Sequence, residues 1–136
     1  MKPRIEPIEW KKHYETGNHT VDGEHKKIFN MANKYIEDVN AGSGIVSSEK
    51  IIEAAHTYAL EHFEREEELM ASVNYSKMKL HKDCHTSFLL LLSKFKNQIS
   101  RGEDVTYDVA YFLQTWLLTH VKEMDIEFES FFAKSK

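Results

Sequence analysis

The stretch His81-Lys82-Asp83-Cys84-His85-Thr86-Ser87-Phe88-Leu89-Leu90-Leu91-Leu92-Ser93-Lys94-Phe95 carries the reading of the fold. His81, His85, Phe88, Leu92 and Phe95 recur at intervals of three and four, the period of one helix face, and nothing alternates with the period of two that a strand needs. Met78 and Ile99 extend the same face in both directions. Arg101-Gly102 closes it, because glycine accepts the left-handed conformation common just past a helix end. Two histidines four residues apart on one helix face are a common way to chelate a transition metal. The alternative, a coincidence of surface histidines, is weakened by the apolar run that follows them directly.

Three further segments share this period. Upstream, Val21, His25, Ile28, Phe29, Ala32, Tyr35, Ile36 and Val39 form one stripe, which stops at Asn40-Ala41-Gly42-Ser43-Gly44. Ser47 or Ser48 is then placed to cap a second helix, whose face carries Ile52, Ala55, Ala59, His62, Phe63, Glu66, Leu69 and Val73. After the third helix, a fourth stripe starts near Thr106 and runs through Val109, Phe112, Leu113, Trp116, Leu117, His120, Val121, Met124, Phe128 and Phe131. Short connections between helices of about 20 residues make neighbours antiparallel. The expected fold is all-α, an antiparallel up-down-up-down four-helix bundle from about 21 to 132. An N-terminal arm, residues 1–20 with Pro3, Pro7, Trp10 and Gly17, precedes it, and residues 1–136 read as a single domain.

Composition bounds the function. Five Gly and two Pro in 136 residues, with 41% hydrophobic and 29% charged residues, favour a folded helical chain over a disordered one. A net charge of −4, with Lys and Arg scattered among acids, argues against a nucleic-acid surface. The longest aliphatic run, Phe88 to Leu92, is too short to span a bilayer, and no apolar signal-peptide core stands at the N-terminus, so a soluble cytoplasmic protein without membrane insertion is expected. The single Cys84 allows no internal disulfide. Eight histidines are many for this length, and histidine is the commonest protein ligand of transition metals.

The histidines and acids sit where a plain core would have Leu or Ile. A buried imidazole or carboxylate without a partner is costly, and a metal converts the same groups into ligands. On the second helix, Glu66 lies four residues after His62, about 40° round the helix, so both point one way. Glu64, Glu67 and Glu68 point elsewhere and read as solvated; the competing reading of the stretch is a surface charge run beside a core histidine. On the fourth helix, Glu123 lies about 60° from His120 and Asp125 about 140°. Ideal geometry favours Glu123, whereas a single π-bulge would bring Asp125 onto the histidine face, so both stand as candidates. His25 is a lone histidine on the first helix, suspicious only because of the other three. His13 and His19 fall in the arm, and His56 is about 120° from His62, so none of these three is assigned to a site.

Taken in order, D-x-E-H-x-x-I-F, H-F-x-x-E-E-x-L-M, H-x-x-x-H-x-x-F and W-L-x-x-H-V-x-x-x-D resemble the hemerythrin family, from Trp10 to Phe131, and the resemblance is closest to its bacterial single-domain form. It implies two irons bridged by an oxo or hydroxo group and by the carboxylates of Glu66 and Asp125. His81, His85 and His120 would complete one iron, and His25 and His62 would serve the other, which keeps an open position. The family pattern thereby selects Asp125 over Glu123 and implies a local helix distortion. Leu117 and Val121 match apolar positions of the family's oxygen pocket, with Trp116 and Phe63 expected nearby; all four also read as ordinary core. The arm would cover one end of the bundle, and Cys84, between two implied ligands, reads as a small buried hydrophobe.

The implied function is reversible dioxygen binding for transport, storage or delivery, by a monomer that is not an enzyme and serves an oxygen-consuming partner. One alternative is a di-iron enzyme reducing peroxide or nitric oxide, which would need proton donors near the open iron, where the sequence offers only apolar residues. Another is an oxygen or redox sensor acting through a separate partner. A different metal, zinc or manganese, would suit the same ligand types.

Overall fold

The computed structural model describes residues 4–135, so Pro3 lies outside the described residues. The chain forms a four-helix bundle: α1 (His19–Asn40), α2 (Gly44–Ser72), α3 (Met78–Ser100), and a fourth rod made of α4 (Thr106–Thr119), a π-helical segment (His120–Asp125) and α5 (Ile126–Lys134). Among the described residues there is no strand, and no helix is long and apolar enough to cross a membrane.

The ends of the helices explain their boundaries. Asn18, not Val21, marks the start of α1: its side chain accepts from the backbone N–H groups of Thr20 and Val21, which would otherwise lack partners. His19 therefore opens α1 and does not belong to the arm. α2 begins at Gly44, earlier than expected, and neither Ser47 nor Ser48 caps it. Ser47 donates to Asp38 Oδ2 at 2.6 Å, while Ser48 Oγ donates back to the Gly44 carbonyl at 2.7 Å and meets the Tyr35 hydroxyl at 2.8 Å. Gly44 has no room for a side chain, since a Cβ there would lie 2.3 Å from Thr106 Cγ2 and 2.8 Å from Val39 Cγ2. The end of α1 and the starts of α2 and α4 thus meet at one end of the bundle, as up-down-up-down topology requires. Gly102, at φ +82°, supplies the left-handed residue that closes α3.

Large side chains set the spacing between α3 and α4. Phe88 packs on Trp116 at 4.3 Å and stacks on Phe112 at 5.4 Å, and Phe95 meets Phe112 at 5.6 Å between ring centroids. The arm runs antiparallel along α1 and does not cap an end of the bundle. Asn40 and Asn33 each pair through their side-chain amides with the arm backbone, at Ile5 and Ile8 respectively. Gln114 of α4 donates to the Glu6 carbonyl. Ile5, Ile8 and Tyr14 of the arm join the main core.

The core comes in two parts. The larger apolar cluster runs from the Gly44 end of the bundle to Phe63, Leu117 and Val121, and a smaller one of Met70, Tyr75 and Phe128 lies at the other end. The buried histidines, with Glu66, Asp125 and Glu129, occupy the band between them.

Candidate metal centre

Each helix contributes to this band in register. His25 comes from α1, His62 and Glu66 from α2, His81 and His85 from α3, and His120 and Asp125 from the two ends of the π-helical segment. None of the seven is more than 4% exposed. In the π-helical segment the N–H of Ile126 bonds the carbonyl of Val121, five residues back. The wider turn moves Asp125 onto the face of His120, which an α-helix would have denied it. Glu123, its rival, is exposed.

The side chains form two adjoining donor groups. In the first, Glu66, His81, His85, His120 and Asp125 each offer an atom within 4.8 Å of the others, and in the second His25, His62 and Asp125 do the same. Asp125 faces both: Oδ1 lies 3.0 Å from the Nε2 atoms of His81 and His120, and Oδ2 lies 3.0 Å from Nε2 of His25. Glu66 repeats the pattern more loosely. Its Oε1 lies 2.8 Å from His81 Nε2 and 3.1 Å from His85 Nε2, and its Oε2 lies 3.7 Å from His62 Nε2.

These distances fit donors to a metal better than hydrogen bonds to one another. Both oxygens of Glu66 and both ring nitrogens of His25 and of His62 lack an aligned hydrogen-bond partner among the described residues, although several close atoms surround them. Lone pairs aimed at a common point produce that combination of short distance and poor alignment. His81, His85 and His120 approach through Nε2, with 3.2 Å from His120 to each of the others. The edge of an octahedron with metal–ligand bonds of about 2.1 Å is about 3.0 Å. Two carboxylates gathered among five imidazoles also call for positive charge.

Without a metal, a proton meets part of that demand. For His81, burial works against the charged form, but the hydrogen bond with Asp125 and the Glu66 carboxylate 2.8 Å away prevail and raise its pKa to about 9. His120 moves the other way, held neutral by burial and by its histidine neighbours in spite of Asp125. Burial opposes ionisation of Asp125, yet His120, His25 and His81 hold it well below the usual carboxylate range. Glu66 is lowered as well: burial and Asp125 oppose its ionisation, but the close approach of His81 and His85 and the charge of His62 prevail.

The surroundings hold residues that spacing did not reveal. Glu67, expected in solvent, instead accepts from His85 Nδ1 at 2.9 Å, which turns Nε2 of that ring inward as a lone-pair donor. Glu64 and Glu68 are exposed as expected. Glu24 lies 3.7 Å from His62 Nδ1 and pairs with Arg65. Glu129 is buried beside the band, with Asn18 donating to it at 3.4 Å and burial raising its pKa. A signal for Glu129 was available, four residues after Asp125 on one helix. Cys84 is half-buried, its thiol pKa raised by burial and Asp83, and it belongs to neither donor group. His13 and His19 are exposed, and His56 lies with Ile52, Leu92 and Lys96 at a separate cleft.

Aromatic rings clamp the imidazoles. Phe63 stacks on His85 at 3.7 Å and 4°, and Trp116 stacks on His120 at 4.2 Å and 12°. Both rings also line a small cavity with Leu117, Val121, His25 and His62, which leaves about 20 Å³ of water-accessible space, room for little more than one water molecule. Its wall is not wholly apolar, as the sequence had indicated. Tyr58, one turn before His62, lines it too and stacks on His62 at 5.5 Å. Its hydroxyl is buried and without a partner, and burial, Asp125 and Glu66 all raise its pKa.

Comparison with known proteins gives a consistent result. The family described as the Hemerythrin HHE cation binding domain matches residues 16–131. The chain is 31% identical over 116 residues to Bacteriohemerythrin of Pseudomonas aeruginosa, covering 85% of this chain and 75% of that one. With Bacteriohemerythrin of Clostridium acetobutylicum it shares 32% identity over 124 residues, 88% of this chain and 96% of that one. A Hemerythrin-like protein of Naegleria gruberi is 28% identical over 124 residues, covering 90% and 92%.

Proposed function

The chain belongs to the hemerythrin family, and we propose that it binds dioxygen reversibly at a non-haem di-iron centre, for transport, storage or delivery of oxygen. In this reading His81, His85 and His120 would hold one iron and His25 and His62 the other, with Glu66 and Asp125 as carboxylates shared by both and an oxo or hydroxo group expected between the irons. The observation that carries it is the division of Asp125, one oxygen 3.0 Å from His81 and His120 and the other 3.0 Å from His25. A carboxylate split in this way suits two metals side by side and would be wasted on one.

When bound, the iron pair would supply an open coordination position and the two electrons with which dioxygen is held. The protein's part is placement and exclusion. The His25 and His62 side offers fewer protein donors than the other, and both histidines line the cavity of Leu117, Val121, Trp116 and Phe63, where a small ligand would sit. Those side chains keep bulk water from the site, and their small cavity suits a diatomic ligand. The stacked Phe63 and Trp116 hold His85 and His120 in place.

The deciding experiment is the visible spectrum of anaerobically reduced, iron-loaded protein as oxygen is added and then removed. A near-colourless protein that gains a ligand-to-iron charge-transfer band and loses it on deoxygenation fits an oxygen carrier. Irreversible conversion to the oxidised spectrum would replace that reading with an enzyme or a redox sensor, and the absence of any iron-dependent spectrum would overturn the metal assignment.

A further inference from the structure

Tyr58 is the polar group at the cavity that neither the donor set nor the packing accounts for. Its ring stacks on His62, and the residue lines both this cavity and the surface groove of Lys27, Lys50 and Glu61. The buried hydroxyl oxygen finds no hydrogen-bond partner among the described residues, and Nε2 of His25 and of His62 have carboxylate oxygens nearby but no aligned hydrogen bond. All three residues line the same small cavity. A buried hydroxyl left unbonded is costly, and a phenylalanine in its place would avoid the cost.

We propose that Tyr58 donates a hydrogen bond to a small anionic ligand seated in this cavity beside His25 and His62. The inference rests on the di-iron reading above and adds a specificity residue to it. A phenol stays protonated through the physiological range, so it offers a donor, and an oxygen or nitrogen atom bearing negative charge is the acceptor that gains most from it. The cavity would then discriminate among ligands. One that gains negative charge on binding is retained by the phenol, whereas carbon monoxide, which stays uncharged, gains little.

The test compares wild-type protein with Tyr58→Phe, using azide as the probe on the oxidised, iron-loaded form. The variant keeps the ring that stacks on His62 and is expected to load two irons. Its azide affinity should fall roughly ten- to a hundredfold, the worth of one hydrogen bond to a charged group, chiefly through faster dissociation. The metal-free variant should melt at the wild-type temperature or above it, because the hydroxyl bonds nothing there. Azide affinity within twofold of wild type would overturn the proposal. So would a metal-free variant that melts several degrees lower, since the hydroxyl would then be a structural partner, or a variant that loses iron, since Tyr58 would then support the metal. Wild-type protein that takes up no iron would sink the di-iron reading, and this inference with it.

Discussion

Replacing Glu67 with alanine should weaken iron binding about tenfold without touching any of the seven proposed ligands. His85 presents Nε2 to the donor group and Nδ1 to Glu67, and the 2.9 Å contact fixes the tautomer that leaves Nε2 free. A hydrogen bond from imidazole to carboxylate contributes about 1.5–3 kcal/mol. The Glu67 side chain is 26% exposed, so water can replace part of the bond, and a figure just under that range, about 1.4 kcal/mol, is appropriate. That corresponds to a factor of ten in affinity, the low edge of the range for residues that orient metal ligands. Iron(II) affinity would be measured anaerobically by competition with a colorimetric chelator, for wild type, Glu67→Ala and Glu67→Gln. The glutamine carbonyl can still accept from Nδ1, so that variant should lose only a part of the effect. Equal affinities for wild type and Glu67→Ala would refute the orienting role, and a glutamine variant as weak as the alanine variant would show that charge alone matters.

Other consequences bear on stability and on the cavity. The metal-free protein should become less stable between pH 6.5 and 9: His81 binds its proton more tightly folded than unfolded, so its contribution is fully present below about pH 6.5 and is lost as pH rises through about 9. Asp125 and Glu66, lowered on folding, act at the other end, where their contribution is lost as pH falls through the carboxylate range. Melting curves of metal-free protein should therefore peak between these limits, and a melting temperature that climbs steadily to pH 9 would contradict the His81 assignment. Leu117→Gln, which puts an amide at the cavity wall, should speed irreversible oxidation of the oxygen-bound iron protein severalfold, and an unchanged decay of the charge-transfer band would locate the oxygen pocket elsewhere. Phe128→Ala should cost about 3–5 kcal/mol in denaturant unfolding, because Phe128 is fully buried in the small cluster with Met70 and Tyr75; a loss under about 1 kcal/mol would show that this end of the bundle is not load-sharing.

How much of this could be read from the chain depends on the range of each interaction. The helices and their inward faces were legible because three-and-four spacing is a local property: His62 with Glu66, and His81 with His85, share a face on any regular helix. The start of α2 was misjudged because Gly44 is selected by a contact with Thr106, far along the chain. Between Asp125 and Glu123, ideal helical geometry favoured the wrong neighbour for the band, and the family pattern favoured the residue that the π-helical segment carries inward. Glu67 looked solvated, and Glu129 and Tyr58 were not singled out, since spacing does not tell which residues of other helices a side chain meets. A helix's own sequence specifies its period and its apolar face, whereas its rotation and height against its neighbours come from packing with residues distant in the chain. Those two quantities decide which nitrogen finds which carboxylate.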